Sequence, residues 1–251
     1  MPYQVTVTLA SDGPVRLPDN CGRALHAQFF AWLQQGDEAL ANHVHDEMEP
    51  RPFTLSPLRP RDNGHLRFRL NLLQDELWDP LWAGMAESGR LELLNNTFKL
   101  VQDELKLHRR TYEELAAEAE AGTLIRLRFF SPTAFRSNDM NYPLPDPVKI
   151  YHSWLARWNQ FAPQKLRYNI SLLDVVQAHV APSYLRIGSE VSDFGRYKLI
   201  GFQGLVSLRI MRPRLLGRDM LGRLNALADY AAYCGTGHRT SMGMGQTQRL
   251  G

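Results

Sequence analysis

Strict alternation in two short stretches constrains this chain more than any other feature. Val5, Val7 and Leu9 alternate with Thr6 and Thr8, and Ile125, Leu127 and Phe129 alternate with Arg126 and Arg128. A period of two puts one set of side chains on each face of a strand, so each stretch predicts a strand in a sheet buried on one side. Apolar residues at helical spacing follow both: Leu25, Phe29, Trp32 and Leu33 after the first, and Tyr151, Trp154, Trp158 and Phe161 after the second. Between them the pattern predicts a short helix over 38–45, strands over 51–55 and 65–72, a helix over 75–87 and strand again over 90–107. That order is β-α-β-β-α-β, the ferredoxin-like unit.

The order then recurs. A helical spacer over 112–120 leads to a strand over 123–130. A proline-rich loop (Pro132, Pro143, Pro145, Pro147) precedes the second aromatic helix. Strand-like runs follow near 167–176, 184–192 and 199–211, then a helix over 220–233 and a strand over 246–250. The expectation is an α+β chain of two tandem ferredoxin-like domains with RRM-like topology, 1–115 and 116–251. A four-stranded sheet covered by helices on one side leaves the other side open, and RNA-recognition domains use that face or a groove beside it. Arg126, Arg128 and Arg209 fall there by alternation, suited to phosphate or base contacts.

Composition narrows the class. The 29 basic and 26 acidic residues leave a net charge of +3, so any basic surface must arise by local clustering. Cys21 and Cys234 are the two cysteines, which form neither a disulfide framework nor zinc spacing and point to a reducing cytoplasm. The N-terminal residues lack a signal-peptide core, and no apolar run approaches membrane-spanning length, so no membrane partner is expected.

Near the C-terminus lies Gly235-Thr236-Gly237-His238-Arg239-Thr240-Ser241-Met242-Gly243-Met244-Gly245. It fits neither the P-loop string nor the dinucleotide fingerprint, which needs a preceding strand and a glycine where Thr240 stands. Two Gly-x-Gly pairs can turn backbone N–H groups toward an anion, and His238 and Arg239 add positive charge. The segment therefore reads as a backbone clamp for a polyanion, with a plain terminal turn as the alternative.

Three of the eight histidines, His26, His43 and His45, lie in the first fifty residues. Histidine exchanges protons near neutral pH. RNA can be cut without metal when the 2′-hydroxyl attacks the adjacent phosphorus; this takes a base, an acid and a cation for the phosphorane. His26, His45 and Arg51 are spaced so that a helix, its exit loop and the next strand could assemble them. His26 also shares helical spacing with Phe29, Phe30 and Leu33 and reads equally as a core-edge residue. His43 and His45 point to different sides of a helix, and no further ligands stand at zinc spacing, so neither metal nor cofactor is expected.

Three segments together carry a resemblance: His45-Asp46 with Arg51-Pro52-Phe53-Thr54-Leu55-Ser56-Pro57-Leu58, Phe130-Ser131-Pro132-Thr133-Ala134-Phe135-Arg136, and the terminal glycine loop; Gly201-Phe202-Gln203-Gly204 also fits. The chain resembles the CRISPR-associated endoribonucleases that process precursor crRNA, the Cas6 family, over residues 5–248. The resemblance implies cleavage of CRISPR repeat RNA without metal, giving a 2′,3′-cyclic phosphate (or 3′-phosphate) and a 5′-hydroxyl. It implies His45 as the family's histidine and Arg51 at the place of its cation, often a lysine. His26 matches a second histidine of some members. Others use a helix tyrosine where this chain has Phe29 and Phe30, which cannot do acid–base work. The acid and base assignments stay open. RNA contacts are expected from Arg23, Arg126, Arg128, Arg136, Arg209, Gly235, Gly237, His238, Arg239, Gly243 and Gly245. Some members are dimers, so a homodimer is a further expectation, as are CRISPR effector-complex proteins as partners. The alternatives are a non-catalytic RNA-binding subunit of such a complex and a metabolic enzyme holding a small phosphate on the glycine loop.

Overall fold

The computed structural model describes residues 1–11, 13, 21–61 and 64–251. The chain divides into two units, Met1–Arg109 with Ser241–Gly243, and Arg110–Thr240 with Met244–Gly251. The first boundary falls ahead of the expected residue 115. The reason is α4 (Tyr112–Ala117), whose Tyr112 hydroxyl meets that of Tyr230 at 3.1 Å within the second unit.

The first unit runs β1 (Tyr3–Ala10), α1 (Gly22–Gly36), α2 (Glu38–Asp46), β2 (Phe53–Leu55), β3 (Arg59–Pro60), β4 (Leu66–Leu72), α3 (Trp78–Ser88), β5 (Arg90–Leu93), β6 (Asn96–Leu100) and β7 (Lys106–Arg109). Its antiparallel sheet has the order β2-β4-β1-β6-β5 among the described residues, with β3 on β4 and β7 on β1. Val5 and Val7 pair with Leu70 and Phe68, and all four are buried against Leu25, Phe29, Trp32 and Leu33 of α1. Burying each such side chain contributes about 1.5–3 kcal/mol, which is why the alternation dictates the layer. Gln4, Thr6 and Thr8 fall on the opposite face. The stretch 90–107 is a hairpin, β5 with β6, followed by β7, rather than one run of strand. α2 starts where the Asp37 carboxylate accepts from the Leu40 N–H at 2.9 Å, satisfying one of the orphan donors of a helix start.

The second unit follows α4 with β8 (Leu124–Thr133), β9 (Phe135–Ser137), β10 (Met140–Tyr142), α5 (Pro147–Phe161), α6 (Leu172–His179), β11 (Val180–Asp193), β12 (Lys198–Ile210), α7 (Pro213–Cys234) and β13 (Thr247–Leu250). The sheet order β11-β12-β8-β13 is that of a ferredoxin-like domain. Ile125, Leu127 and Phe129 are buried, as are Trp154 and Trp158 of α5 and Leu224 and Leu227 of α7; Arg126 and Arg128 are exposed. The strand expected near 167–176 is not there. Leu172 and Val176, four residues apart, bury one face of α6 instead, a helical period that outweighs the β-branched pair Val175-Val176. The proline-rich loop contains the short hairpin β9–β10. Among the described residues no helix is long and apolar enough to cross a membrane.

Candidate functional site

In the first unit, α1 carries His26 and α2 carries His45 to the same aromatic ring. The Phe30 centroid lies 5.1 Å from each imidazole centroid, edge-on in both cases, so the two histidines are at most twice that distance apart. Phe53 of β2 stacks on Phe29 at 3.7 Å and stands 5.5 Å from His26, giving the site an apolar back wall.

Each imidazole places Nδ1 against an acceptor. His26 Nδ1 lies 3.2 Å from the Ser241 carbonyl oxygen, and His45 Nδ1 lies 2.6 Å from Asp46 Oδ1. Neither acceptor can donate, so Nδ1 carries the hydrogen in both rings. Arg51 donates from one nitrogen, Nη1, to the Val44 carbonyl and to the Met48 carbonyl at 2.7 Å. It closes the C-terminal end of α2, where carbonyls lack helical partners and the dipole favours a cation. Arg23 is exposed one turn before His26. His43 pairs instead with Glu47 at 2.9 Å. Among the described residues no group of three or more His, Cys, Asp or Glu side chains is gathered as a metal site requires.

The glycine loop departs from the expectation of a backbone clamp. All four glycines have positive φ: 64° at Gly235, 79° at Gly237, 92° at Gly243 and 70° at Gly245. Their N–H groups, however, are largely used inside the protein. Gly235 N–H donates to Ala231 O at 2.9 Å, Gly237 N–H to Ser153 Oγ at 2.8 Å and Gly245 N–H to Pro132 O at 3.0 Å; the neighbouring Thr236 and His238 N–H groups donate to Gly245 O at 2.8 Å and Ala134 O at 3.0 Å. A Cβ on Gly237 would stand 2.1 Å from Ala134 O, and one on Gly245 2.1 Å from Thr236 O. These two glycines therefore serve close packing of the loop on its own unit, not approach of an anion. His238 is corrected as well: it does not add positive charge. Burial, with Arg239, Arg136 and Arg157 nearby, lowers its pKa to about 4, and its Nε2 meets Asn141 Oδ1 at 3.0 Å. Arg239 is exposed at the loop's outer turn, with its guanidinium 5.8 Å from the Tyr197 ring centre.

Behind the loop stands Arg157 of α5, buried to 9 % exposure. It donates to Gly237 O at 2.8 Å, Thr240 Oγ1 at 3.3 Å and Ser153 Oγ at 2.8 Å. Its only mark in the sequence is its place, three residues after Trp154 and four before Phe161, on an otherwise apolar helix stripe. The open face of the second sheet gathers Arg126, Arg128 and Arg209, all exposed; Arg128 lies over the Phe130 ring at 5.0 Å. Arg136, on the β9–β10 hairpin, is exposed and lies 3.4 Å from Asp139.

Two family models match the chain: CRISPR Cas6 N-terminal domain over residues 1–117, and CRISPR-associated endoribonuclease Cas6 over residues 127–247. The chain belongs to the Cas6 family of CRISPR-associated endoribonucleases. A relative from Streptococcus thermophilus, described as CRISPR-associated endoribonuclease Cas6, is 20 % identical over 90 % of this chain and 92 % of its own length. A Cas6 product complex superimposes with a TM-score of 0.86 at 28 % identity, covering 100 % of this chain and 99 % of that one. Thermus thermophilus Cas6 gives a TM-score of 0.75 at 27 % identity over 100 % and 98 %. Endoribonuclease activity and crRNA processing follow from this Cas6 membership, and both ferredoxin-like units are those of the family fold.

Proposed function

We propose that this Cas6 protein cuts the repeat RNA of precursor crRNA without a metal ion. The 2′-hydroxyl attacks the adjacent phosphorus, the P–O5′ bond breaks, and the products are a 2′,3′-cyclic phosphate and a 5′-hydroxyl. One of His26 and His45 takes the 2′-hydroxyl proton through Nε2 while the other gives a proton to the leaving 5′-oxygen. Arg51 carries positive charge beside His45 and holds the end of α2 on which that histidine stands. The observation that supports this most is the convergence of both imidazoles on Phe30, each with Nδ1 on a pure acceptor. Arg23, Arg126, Arg128, Arg136, Arg209 and Arg239 bind the RNA backbone, which supplies most of the affinity.

A single 2′-deoxy sugar immediately upstream of the scissile phosphate tests the chemistry. It should block cleavage and leave binding intact, and normal RNA should still be cut in EDTA. Cleavage of the deoxy substrate at the usual bond, or inhibition by EDTA that Mg²⁺ reverses, refutes this mechanism.

A further inference from the structure

On the open face of the second sheet lies a hollow of about 490 Å³ whose lining includes Arg126, Ser183, Tyr184, Leu205, Ser207 and Arg209. A volume of this order holds a small-molecule-sized group. Its floor is partly apolar, its two charged residues are arginines, and its lining contains no Asp or Glu among the described residues.

A β-bulge creates the wall. β11 pairs Pro182 with Leu208 and Tyr184 with Ser207, so Ser183 is the extra residue. The bulge switches the side-chain parity of β11: Tyr184 and Arg186 come to the open face, opposite Ser207 and Leu205, while Leu185, itself 50 % exposed on this edge strand, pairs with the buried Val206. Bulges re-aim side chains in this way beside functional sites. Ser183 Oγ is tied to the Ser207 carbonyl at 3.3 Å, and the Tyr184 ring is left 52 % exposed over the hollow. An aromatic ring beside arginines, on a sheet whose other side carries the helices, is the arrangement that stacks an unstacked base and binds its phosphates.

We propose that this hollow is a subsite for one unpaired nucleobase of the RNA, stacked on Tyr184, with the adjoining phosphates on Arg126 and Arg209. The proposal rests on the reading of the chain as an RNA-cutting enzyme. A base inside an A-form duplex is already stacked on its neighbours, so the subsite takes single-stranded RNA. Stacking is indifferent to ionic strength, whereas the arginine contacts are not.

The test uses the full chain and the repeat RNA it cleaves, single-stranded or annealed to its complement. Tyr184→Ala should weaken binding of the single strand about 5- to 150-fold, the range for losing one stacked base, without changing the salt dependence. Binding of the duplex and the melting temperature should stay unchanged. Tyr184→Trp should keep the affinity, and the added tryptophan fluorescence should be quenched as RNA binds. Unaltered single-strand affinity in Tyr184→Ala, an equal loss on duplex, or an unquenched Tyr184→Trp signal overturns the subsite while leaving the ribonuclease reading in place. A wild-type chain that neither binds nor cuts the RNA overturns both.

Discussion

Lowering the pH should destabilise the second unit through His238 and the change should vanish when this ring is replaced. The imidazole is half-buried, bonded to Asn141, and faced by three guanidinium groups: Arg136 from β9, Arg157 from α5 and its own neighbour Arg239. Burial first, then these charges, lower its pKa to about 4 from the usual 6.5. A depressed folded pKa means that the unfolded chain binds the proton first. The stability it affects is fully present above about pH 6.5 and is lost as the pH falls toward about 4. For a fully buried ring the loss between about pH 7.5 and about pH 5 would be about 2 kcal/mol, at 1.36 kcal/mol per unit of separation. The partial exposure of His238 reduces that to about 1 kcal/mol, or a melting shift of about 2–4 °C for a chain of this size. The assay is thermal unfolding of the wild type and His238→Gln at both pH values, following the second unit's transition. The glutamine keeps a polar group toward Asn141 and cannot titrate, so subtraction removes every other acid-sensitive group. The wild type should lose ground to the variant as the pH falls. A difference that is independent of pH would mean that the folded ring keeps its ordinary pKa, and one that moves in the wild type's favour that the fold raises it; either would falsify the neutral assignment.

Other expectations follow from the same geometry. His45→Ala should lower single-turnover cleavage about 10²–10⁴-fold while an RNA binding curve remains near that of the wild type; near-normal rates would remove His45 from the mechanism. Gly237→Ala, forced into a positive φ with its Cβ against Ala134 O, should destabilise the second unit by about 1–3 kcal/mol in denaturant unfolding. An unchanged midpoint would mean the loop yields without strain. Gly245→Ala should behave alike, its loss of stability preceding any selective loss of RNA affinity.

How much of this was readable in the sequence depended on the range of the forces involved. Val5-Val7-Leu9 and Ile125-Leu127-Phe129 announced both sheets because period-two burial is a local property. Leu172-Leu173-Asp174-Val175-Val176 reads as strand and folds as helix because a short apolar run carries both periods, and only packing chooses between them. His26 and His45 stand out in the sequence as candidate proton carriers; their convergence on Phe30 does not, since it depends on how α2 returns beside α1. Arg51 reads in the sequence as a cation for the reaction; its bonds to Val44 and Met48 show it closing a helix, which the sequence does not announce. The glycine loop misled because glycine serves anion approach and tight packing equally well, and the sequence does not say which acceptors its N–H groups will find. Arg157 left a trace, a charge on an apolar helix stripe. Tyr184 left none, because the bulge at Ser183 reverses the alternation that would have assigned its face.

The pairing of β13 with β8 is a long closure and should come late when the chain folds. Thr247 meets Phe129 and Gln248 meets Arg128, contacts between residues more than a hundred positions apart, and the glycine loop is strung between α7 and that strand. Long closures form late, because chain entropy must be lost before they return any contact. Helices such as α5 and α7 are local and can be present earlier. A chain trapped short of this last closure would therefore have most of its helical signal by circular dichroism while the loop from Gly235 to Gly245 was still without shape. For this protein, secondary structure alone is a poor report of native assembly, and the Thr236 and Gly245 amides are where slow hydrogen exchange should mark its completion.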